Sequence, residues 1–230
     1  MRWAVLAVIG LWCWASPVGA AVLINEVLAD PASLSGDANY DGLASVTQDE
    51  FVEMVNTGAD AVSLAQWTLS DAIQARHTFT SADVIAGYGF FVVFGGGSPQ
   101  GFAAAVTAST GTLGLNNGGD TVTMRDAGSL PIDVFTYAAE GGQDVSLTRL
   151  PDGQGPFVLH TSASQLPYSP GRTVDQADHL PFPAEDDEPD PIPAPNEGDR
   201  GGHPAVPEPS SLTLLGVGAF GAASWRRRFG

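Results

Sequence analysis

Short runs of β-branched and aromatic residues recur between residues 22 and 160, and no apolar pattern there keeps the 3.6-residue period of an amphipathic helix. One run, GFFVVF at 89–94, is continuous and apolar, so we expect a central strand that is buried on both faces. About eight to ten short strands without helices predict an all-β protein, an immunoglobulin-like β-sandwich. The predicted strands are 22–28, 50–56, 67–70, 76–80, 89–94, 120–125, 131–138, 145–150 and 156–160.

Residues 1–20, MRWAVLAVIGLWCWASPVGA, have the parts of a secretory signal peptide, in which an apolar helix follows an arginine. Small residues precede the expected cleavage after Ala20, with Ala21 as the alternative. A buried N-terminal helix is disfavoured by the proline and glycine near the end of the run. The only cysteine, Cys13, lies in this segment, so the exported chain would have no disulfide. A bound metal ion is one cross-link that would replace it.

The charge of the chain limits its partners. The formal net charge is -17, and every basic residue is arginine. A surface this acidic repels nucleic acid and anionic polysaccharide and attracts cations. We therefore predict no nucleic-acid partner.

Two segments follow the predicted β-sandwich domain of residues 21–172. Residues 173–205 are rich in Pro, Asp and Glu, which predicts an extended, disordered linker. Residues 206–230 contain an apolar run that, as a helix, would span roughly 22 Å, short of a hydrocarbon core of ~30 Å. This run is therefore expected to be a weak transmembrane anchor.

The C-terminal segment has three parts in a fixed order. The apolar run lies between the motif Pro207, Glu208 and Pro209 and the basic cluster Arg226, Arg227 and Arg228, which would hold the C-terminal end on the cytoplasmic side. This order resembles the PEP-CTERM sorting signal of exported bacterial proteins. The resemblance implies processing by an exosortase, transient anchoring in the membrane by the C-terminal helix, and a place at the cell envelope in association with exopolysaccharide or biofilm. An ordinary tail anchor or a core helix is the alternative.

Seven stretches follow one another along the predicted domain: INEVLADP, DEFVEMVN, WTLSD, RHTF, FVVFGGG, LNNGGDTVTMRD and SLTRLPDG. In their order and spacing, from about Ala21 to Gly171, they resemble the lamin-tail domain. This resemblance implies an immunoglobulin-like sandwich that acts as an interaction module, and it carries over no catalytic residue. We therefore predict that the chain is not an enzyme.

An acidic loop precedes the second predicted strand. Its pattern D-x-N-x-D-G places side-chain oxygens at alternate positions, as in the first half of an EF-hand calcium loop, but Gln48 stands where that loop has its bidentate glutamate. Bacterial lamin-tail domains resemble this chain in having such an insertion. We predict a structural Ca²⁺ site, without which the loop would be mobile; Asx turns with acids facing water are the alternative. The preferred ligands are Asp37, Asn39, Asp41, the Leu43 carbonyl and Asp49, with Asp30 and Glu50 as second-rank ligands.

These features together predict an exported, surface-associated binding or scaffolding module, whose partner would be an extracellular polysaccharide or an envelope protein. Two other functions stay open. One is an enzyme, for example a calcium-dependent extracellular hydrolase. Glu26 and Glu53 are considered separately as the general acid and base of a glycosidase-like site. Otherwise these two side chains lie on a polar face or bond to Arg76 or to backbone. The other is a calcium-tuned adhesion module.

Overall fold

The computed structural model describes residues 22–180. The predicted signal peptide, its cleavage residues Ala20 and Ala21, most of the linker and the whole sorting segment lie outside the described residues. Within 22–180, no helix has the length and apolar character that crossing a membrane requires.

Residues 22–180 form twelve strands and two short 3-10 turns, Ala139–Gly141 and His160–Ser162. Most strands have only two to five residues, as the dense turn signals in the sequence indicate. The strands are β1 (Val22–Leu28), β2 (Phe51–Asn56), β3 (Val62–Ser63), β4 (Thr68–Ser70), β5 (Ala75–Thr78), β6 (Val84–Ile85), β7 (Phe90–Phe94), β8 (Ala105–Thr107), β9 (Asp120–Arg125), β10 (Pro131–Tyr137), β11 (Leu147–Arg149) and β12 (Phe157–Leu159).

Two main sheets enclose the core. The first has the order β12-β11-β1-β2-β7-β8 and the second has the order β10-β9-β4-β5, while β3 and β6 pair by themselves. All pairings are antiparallel except β7 with β8. The side chains of Ile24, Met54 and Val93 from the first sheet pack with those of Leu69 and Met124 from the second. The protein is an all-β, immunoglobulin-like sandwich, as predicted.

The six-stranded sheet is also covered on its outer face, which carries the buried residues Leu28, Phe51, Val92 and Phe94. Side chains alternate between the two faces of a strand, so these residues point away from their neighbours in the central core. Tyr168 packs against them from the C-terminal segment, which we define as residues 160–180. This second layer explains why β2 and β7 are buried along their whole length.

The strand predictions differ from the structure in detail. β1 and β9 have the predicted bounds, whereas β3, β6 and β8 were not predicted. The run 89–94 is buried on both faces as expected, and β7 is an interior strand between β2 and the short edge strand β8. Its outer face is buried by the covering layer.

Contacts of the domain continue beyond the boundary predicted at residue 172. The backbone N–H of Val174 donates to Asp152 Oδ2 at 3.1 Å, and that of Leu180 donates to the Tyr88 carbonyl at 2.9 Å. Leu180 is buried against Val55. Residues 173–180, assigned to the linker from sequence, therefore pack against the sandwich.

Candidate functional site

The acidic loop between β1 and β2 winds around its own side chains. Gly42 N–H donates to Asp37 Oδ2, Asp41 N–H donates to Asn39 Oδ1, and Leu43 N–H donates to Asp41 Oδ1, each at 3.0 Å. Short Asp and Asn side chains favour such bonds to backbone a few residues ahead. The three predicted side-chain ligands are thus held in one compact turn.

Asp49 closes this turn from just before β2. Its Oδ1 accepts the N–H of Asn39 at 3.0 Å, and its Oδ2 accepts that of Ser45 at 2.7 Å. Asn39 and Asp49 have no exposed surface. Burial raises the pKa of Asp49, and the nearby charge of Asp37 raises it further. The structure therefore brings Asp49 to the loop, although it lies ten residues after Asn39 in the chain.

One oxygen of the loop has no hydrogen-bond partner. Asp37 Oδ1 is buried and unpaired, while Oδ2 of the same carboxylate accepts the Gly42 N–H. An unpaired buried carboxylate oxygen is costly, and a bound ion is one partner that would satisfy it. A hard divalent cation takes carboxylate, amide and carbonyl oxygens. The donor set of this loop fits such an ion.

The glycines after β7 clamp the loop from the other side. Asn39 Nδ2 donates to the Gly96 carbonyl at 3.3 Å, and Ser98 N–H donates to Asp41 Oδ2 at 3.0 Å. Gly97 has a φ of +77°, and a Cβ there would lie 2.4 Å from Asn39 Nδ2 and 2.5 Å from Asp41 Oδ2. Sequence reasoning missed this contact between the glycines and the acidic loop. The signal was the run of three glycines directly after a buried strand.

The remaining predicted ligands have other surroundings. Leu43 is 69% exposed, and its backbone N–H makes the bond to Asp41 Oδ1. Glu50 Oε2 accepts the N–H groups of Gly114 at 2.8 Å and Leu115 at 3.4 Å, and burial raises the pKa of Glu50 to about 7. Asp30 Oδ1 accepts an N–H of Asn117 at 2.6 Å. The structure therefore gathers Asp37, Asn39, Asp41 and Asp49, and it holds Glu50 and Asp30 in other contacts.

Within residues 22–180, no three His, Cys, Asp or Glu side chains are grouped closely enough to form a metal site by themselves. The predicted set also includes an asparagine oxygen and a backbone carbonyl. It therefore depends on ligand types that are common for calcium and uncommon for transition metals.

The two glutamates considered for acid–base chemistry lie side by side. Glu26 on β1 is the direct cross-strand partner of Glu53 on β2, and neither has exposed surface. The C-terminal segment covers them: Ser169 N–H donates to Glu26 Oε1 at 3.0 Å, and Gly171 N–H donates to Glu53 Oε2 at 2.6 Å. Their partners are thus backbone and small polar groups, and a bond to Arg76 is not among them.

Further polar groups complete this buried network. Ser146 Oγ donates to Glu26 Oε1 at 2.5 Å, and the hydroxyl of Ser169 lies 3.0 Å from Glu26 Oε2 and 2.8 Å from His160 Nε2. Asn25 Nδ2 donates to Glu53 Oε1 at 2.9 Å. Burial raises the pKa of both glutamates, and for Glu53 the neighbouring Glu26 raises it further. The two serines and Asn25 were not singled out from the sequence.

Comparison with known proteins supports both resemblances drawn from the sequence. The family model described as Lamin Tail Domain matches residues 15–139, and the model described as PEP-CTERM protein-sorting motif matches residues 205–228. The second match includes Pro207, Glu208 and Pro209, and it identifies an exported, envelope-associated protein that an exosortase processes. A search of curated proteins finds no match. Because the first model covers more than half of the 230 residues, the chain belongs to the Lamin Tail Domain family.

Proposed function

We propose that this protein is an exported, non-enzymatic binding or scaffolding module of the cell envelope whose acidic loop holds a structural calcium ion. The observation that carries the calcium assignment is the buried, unpaired Oδ1 of Asp37. It lies in a loop whose other carboxylate and amide oxygens accept backbone N–H groups, which orient them. A cation would supply the missing partner of this oxygen.

The ion would be held by Asp37, Asn39, Asp41, the Leu43 carbonyl and Asp49. Each carboxylate or amide oxygen that accepts one N–H keeps a second lone pair for a metal. Bound there, the two positive charges of calcium would offset most of the charge of three carboxylates that otherwise repel one another. It would fix the loop against β2 and against the glycines after β7, which is a structural role.

The contacts of Glu26 and Glu53 favour this function over the calcium-dependent hydrolase. A glycosidase needs two carboxyl groups on opposite sides of an exposed substrate bond. Glu26 and Glu53 have no exposed surface and are bonded to Ser169 and Gly171 of the covering segment. They serve to fasten that segment to the sheet.

Calcium titration of the purified full chain tests the proposal. We expect one binding event by calorimetry and a higher melting temperature with calcium than with chelator. An ion at about 100 times its Kd would add roughly 2.7 kcal/mol to the free energy of unfolding. Absence of binding heat together with an unchanged melting temperature would refute the calcium site.

Matched substitutions locate the ion. Asp37→Asn removes one ligand charge, so we expect calcium affinity to fall about tenfold or more, because charge count tunes such sites. Asp60→Asn makes the same change at an exposed position outside the loop and should bind calcium normally. Equal loss in both variants would indicate a diffuse charge effect and would contradict a site at the loop.

A further inference from the structure

A cleft of about 510 Å³ opens beside the acidic loop. One wall contains Tyr40 and Phe102, and the other contains residues of the C-terminal segment, namely Arg172, Gln176 and Asp178. Tyr40 lies in the chain between Asn39 and Asp41, two proposed calcium ligands. The cleft therefore joins the loop to the segment that covers the buried glutamates.

The first wall is an aromatic platform. The rings of Tyr40 and Phe102 are stacked, with centroids 5.4 Å apart and planes 12° apart. Phe102 in turn packs on the buried Phe94, with centroids 5.0 Å apart. Phe102 supports one face of the tyrosine, and 53% of Tyr40 is still exposed. A flat apolar surface with a hydroxyl at its edge is thus fixed to the core and open to a ligand.

The second wall supplies paired donors and acceptors. Arg172 Nε lies 3.4 Å from Asp178 Oδ1, and these side chains are 50% and 80% exposed. The amide of Gln176 lies on the same wall. A guanidinium, a carboxylate and an amide together present several N–H donors and oxygen acceptors within one cleft. Hydroxyl groups, which both donate and accept, are the ligand groups that such a mixture suits.

The backbone of the cleft is held in an unusual conformation. Tyr40 has a φ of +56° and Gln176 a φ of +73°, and Gly101 and Gly171 at its base are also left-handed. A non-glycine residue in this conformation costs free energy and persists only where its surroundings impose it, and such residues concentrate at ligand sites. One such constraint is the hydrogen bond that the Gly171 N–H donates to the buried Glu53. The walls are therefore preorganised.

We infer that this cleft binds a neutral oligosaccharide, with a sugar ring stacked on Tyr40 and its hydroxyl groups bonded to Arg172, Gln176 and Asp178. The inference rests on the proposed binding function and names its ligand class. An acidic sugar polymer would face the net charge of -17 and the carboxylate of Asp178. A purely apolar ligand would leave the polar wall unpaired.

A titration of the full chain in excess calcium tests this inference. The titrants are cellohexaose, laminarihexaose and chitohexaose, and binding is measured by calorimetry and by saturation-transfer NMR. We expect at least one of them to bind, and Tyr40→Ala to weaken it roughly tenfold or more. Tyr40→Phe keeps the ring and should keep most of the affinity. Arg172→Gln, at the exposed rim, should weaken binding without changing the melting temperature.

Tyr88→Ala is the matched control, because Tyr88 is also a tyrosine with positive φ, at +55°, but lines a different cavity. It should leave saccharide affinity unchanged. Failure of all three saccharides to bind the calcium-loaded chain would overturn the inference while leaving the calcium proposal intact. Equal binding by Tyr40→Ala, or polygalacturonate binding that depends on Tyr40, would also overturn it.

Discussion

Glu26 and Glu53 face each other directly across β1 and β2, and both are completely buried. Burial disfavours the charged form of each, and at Glu53 the charge of Glu26 adds repulsion. Hydrogen bonds from Ser169 to Glu26 and from Gly171 to Glu53 offset part of this cost. The pair therefore links the covering segment to the sheet, and the strength of the link depends on protonation.

The pH dependence of stability follows from the raised pKa values of three buried carboxyls, Glu26, Glu53 and Glu50. Near pH 4 and below, these carboxyls are protonated in both the folded and the unfolded chain. As the pH rises above the ordinary value of 4.5, the unfolded chain releases their protons first, so the folded state loses relative stability. We expect the melting temperature to fall between pH 5 and 8, as followed by circular dichroism.

Glu26→Gln should flatten this profile. The amide can donate to the Ser169 hydroxyl, which can then turn toward His160 Nε2. The substitution also removes the charge that faces Glu53. We compare the free energy of unfolding of this variant with that of the unsubstituted protein. The difference in favour of the variant should be roughly 1–3 kcal/mol larger at pH 8 than at pH 5. Glu140→Gln should leave the slope between pH 5 and 8 nearly unchanged, because a hydrogen bond from the Ala138 N–H lowers the pKa of this half-buried carboxyl. An identical slope in both variants would contradict the assignment to the buried pair.

Asn25→Asp should destabilise the protein more at pH 8 than at pH 5. Asn25 Nδ2 donates to Glu53 Oε1 at 2.9 Å and to Asp152 Oδ1 at 3.0 Å, and its Oδ1 accepts the Gly153 N–H. An aspartate would remove both donated bonds and place a third carboxylate beside two others. The expected loss is about 3–5 kcal/mol at pH 8, measured by urea denaturation.

Asn116→Asp provides the comparison for this change. Asn116 Nδ2 also donates to an aspartate, Asp120 Oδ2 at 3.0 Å, but Asn116 is exposed. Water and salt screen the new charge there. We expect the free energy of unfolding to fall by less than about 1 kcal/mol. Similar losses at the two positions would show that burial does not explain the effect of a charge at Asn25.

Gly97→Ala should weaken both the fold and calcium binding. A Cβ at this position would lie within 2.5 Å of Asp41 Oδ2, so the glycine loop and the acidic loop must separate. Gly111→Ala isolates the backbone contribution, because Gly111 has a φ of +80° and open space around its Cβ position. For Gly111→Ala we expect a loss of about 1–2 kcal/mol in the free energy of unfolding and an unchanged calcium affinity. For Gly97→Ala we expect a larger loss of stability and about tenfold weaker calcium binding. Equal effects in the two variants would mean that the close approach at Gly97 is unimportant.

Local sequence patterns predicted the longer strands of the sandwich. β1 and β9 have six or seven residues with clear β-rich composition, and their predicted bounds agree with the structure. β3 and β6 have two residues each and exist through their pairing, Val62 with Ile85. Pairing between distant residues leaves no local period, so such strands escape a sequence-based prediction.

The same distinction applies to the acidic loop and to the glutamate pair. Asp37, Asn39 and Asp41 were predicted together because their spacing is local. The clamp from Gly96 comes from 57 residues further along the chain, and the cover over Glu26 from 143 residues away. Both contacts depend on the order of strands in the sheet, which the sequence does not display.

The folded domain extends past residue 172. A chain that stops at residue 172 lacks the buried side chain of Leu180 and the bond from Val174 N–H to Asp152 Oδ2. Burial of a leucine contributes about 1.5–3 kcal/mol, and a buried hydrogen bond about 1 kcal/mol. We expect the free energy of unfolding, measured by urea denaturation, to be roughly 2–4 kcal/mol lower for a chain ending at residue 172 than for one ending at residue 183.

Leu180→Ala in the longer chain separates the side chain from the rest of the segment. It should account for at least half of that loss, since Leu180 packs against Val55 and Phe90. If residues 173–180 were only a solvated linker, both the shortened chain and Leu180→Ala would be as stable as the longer chain. That result would restore the boundary at residue 172 and would remove the structural basis for treating Gln176 and Asp178 as a wall of the cleft.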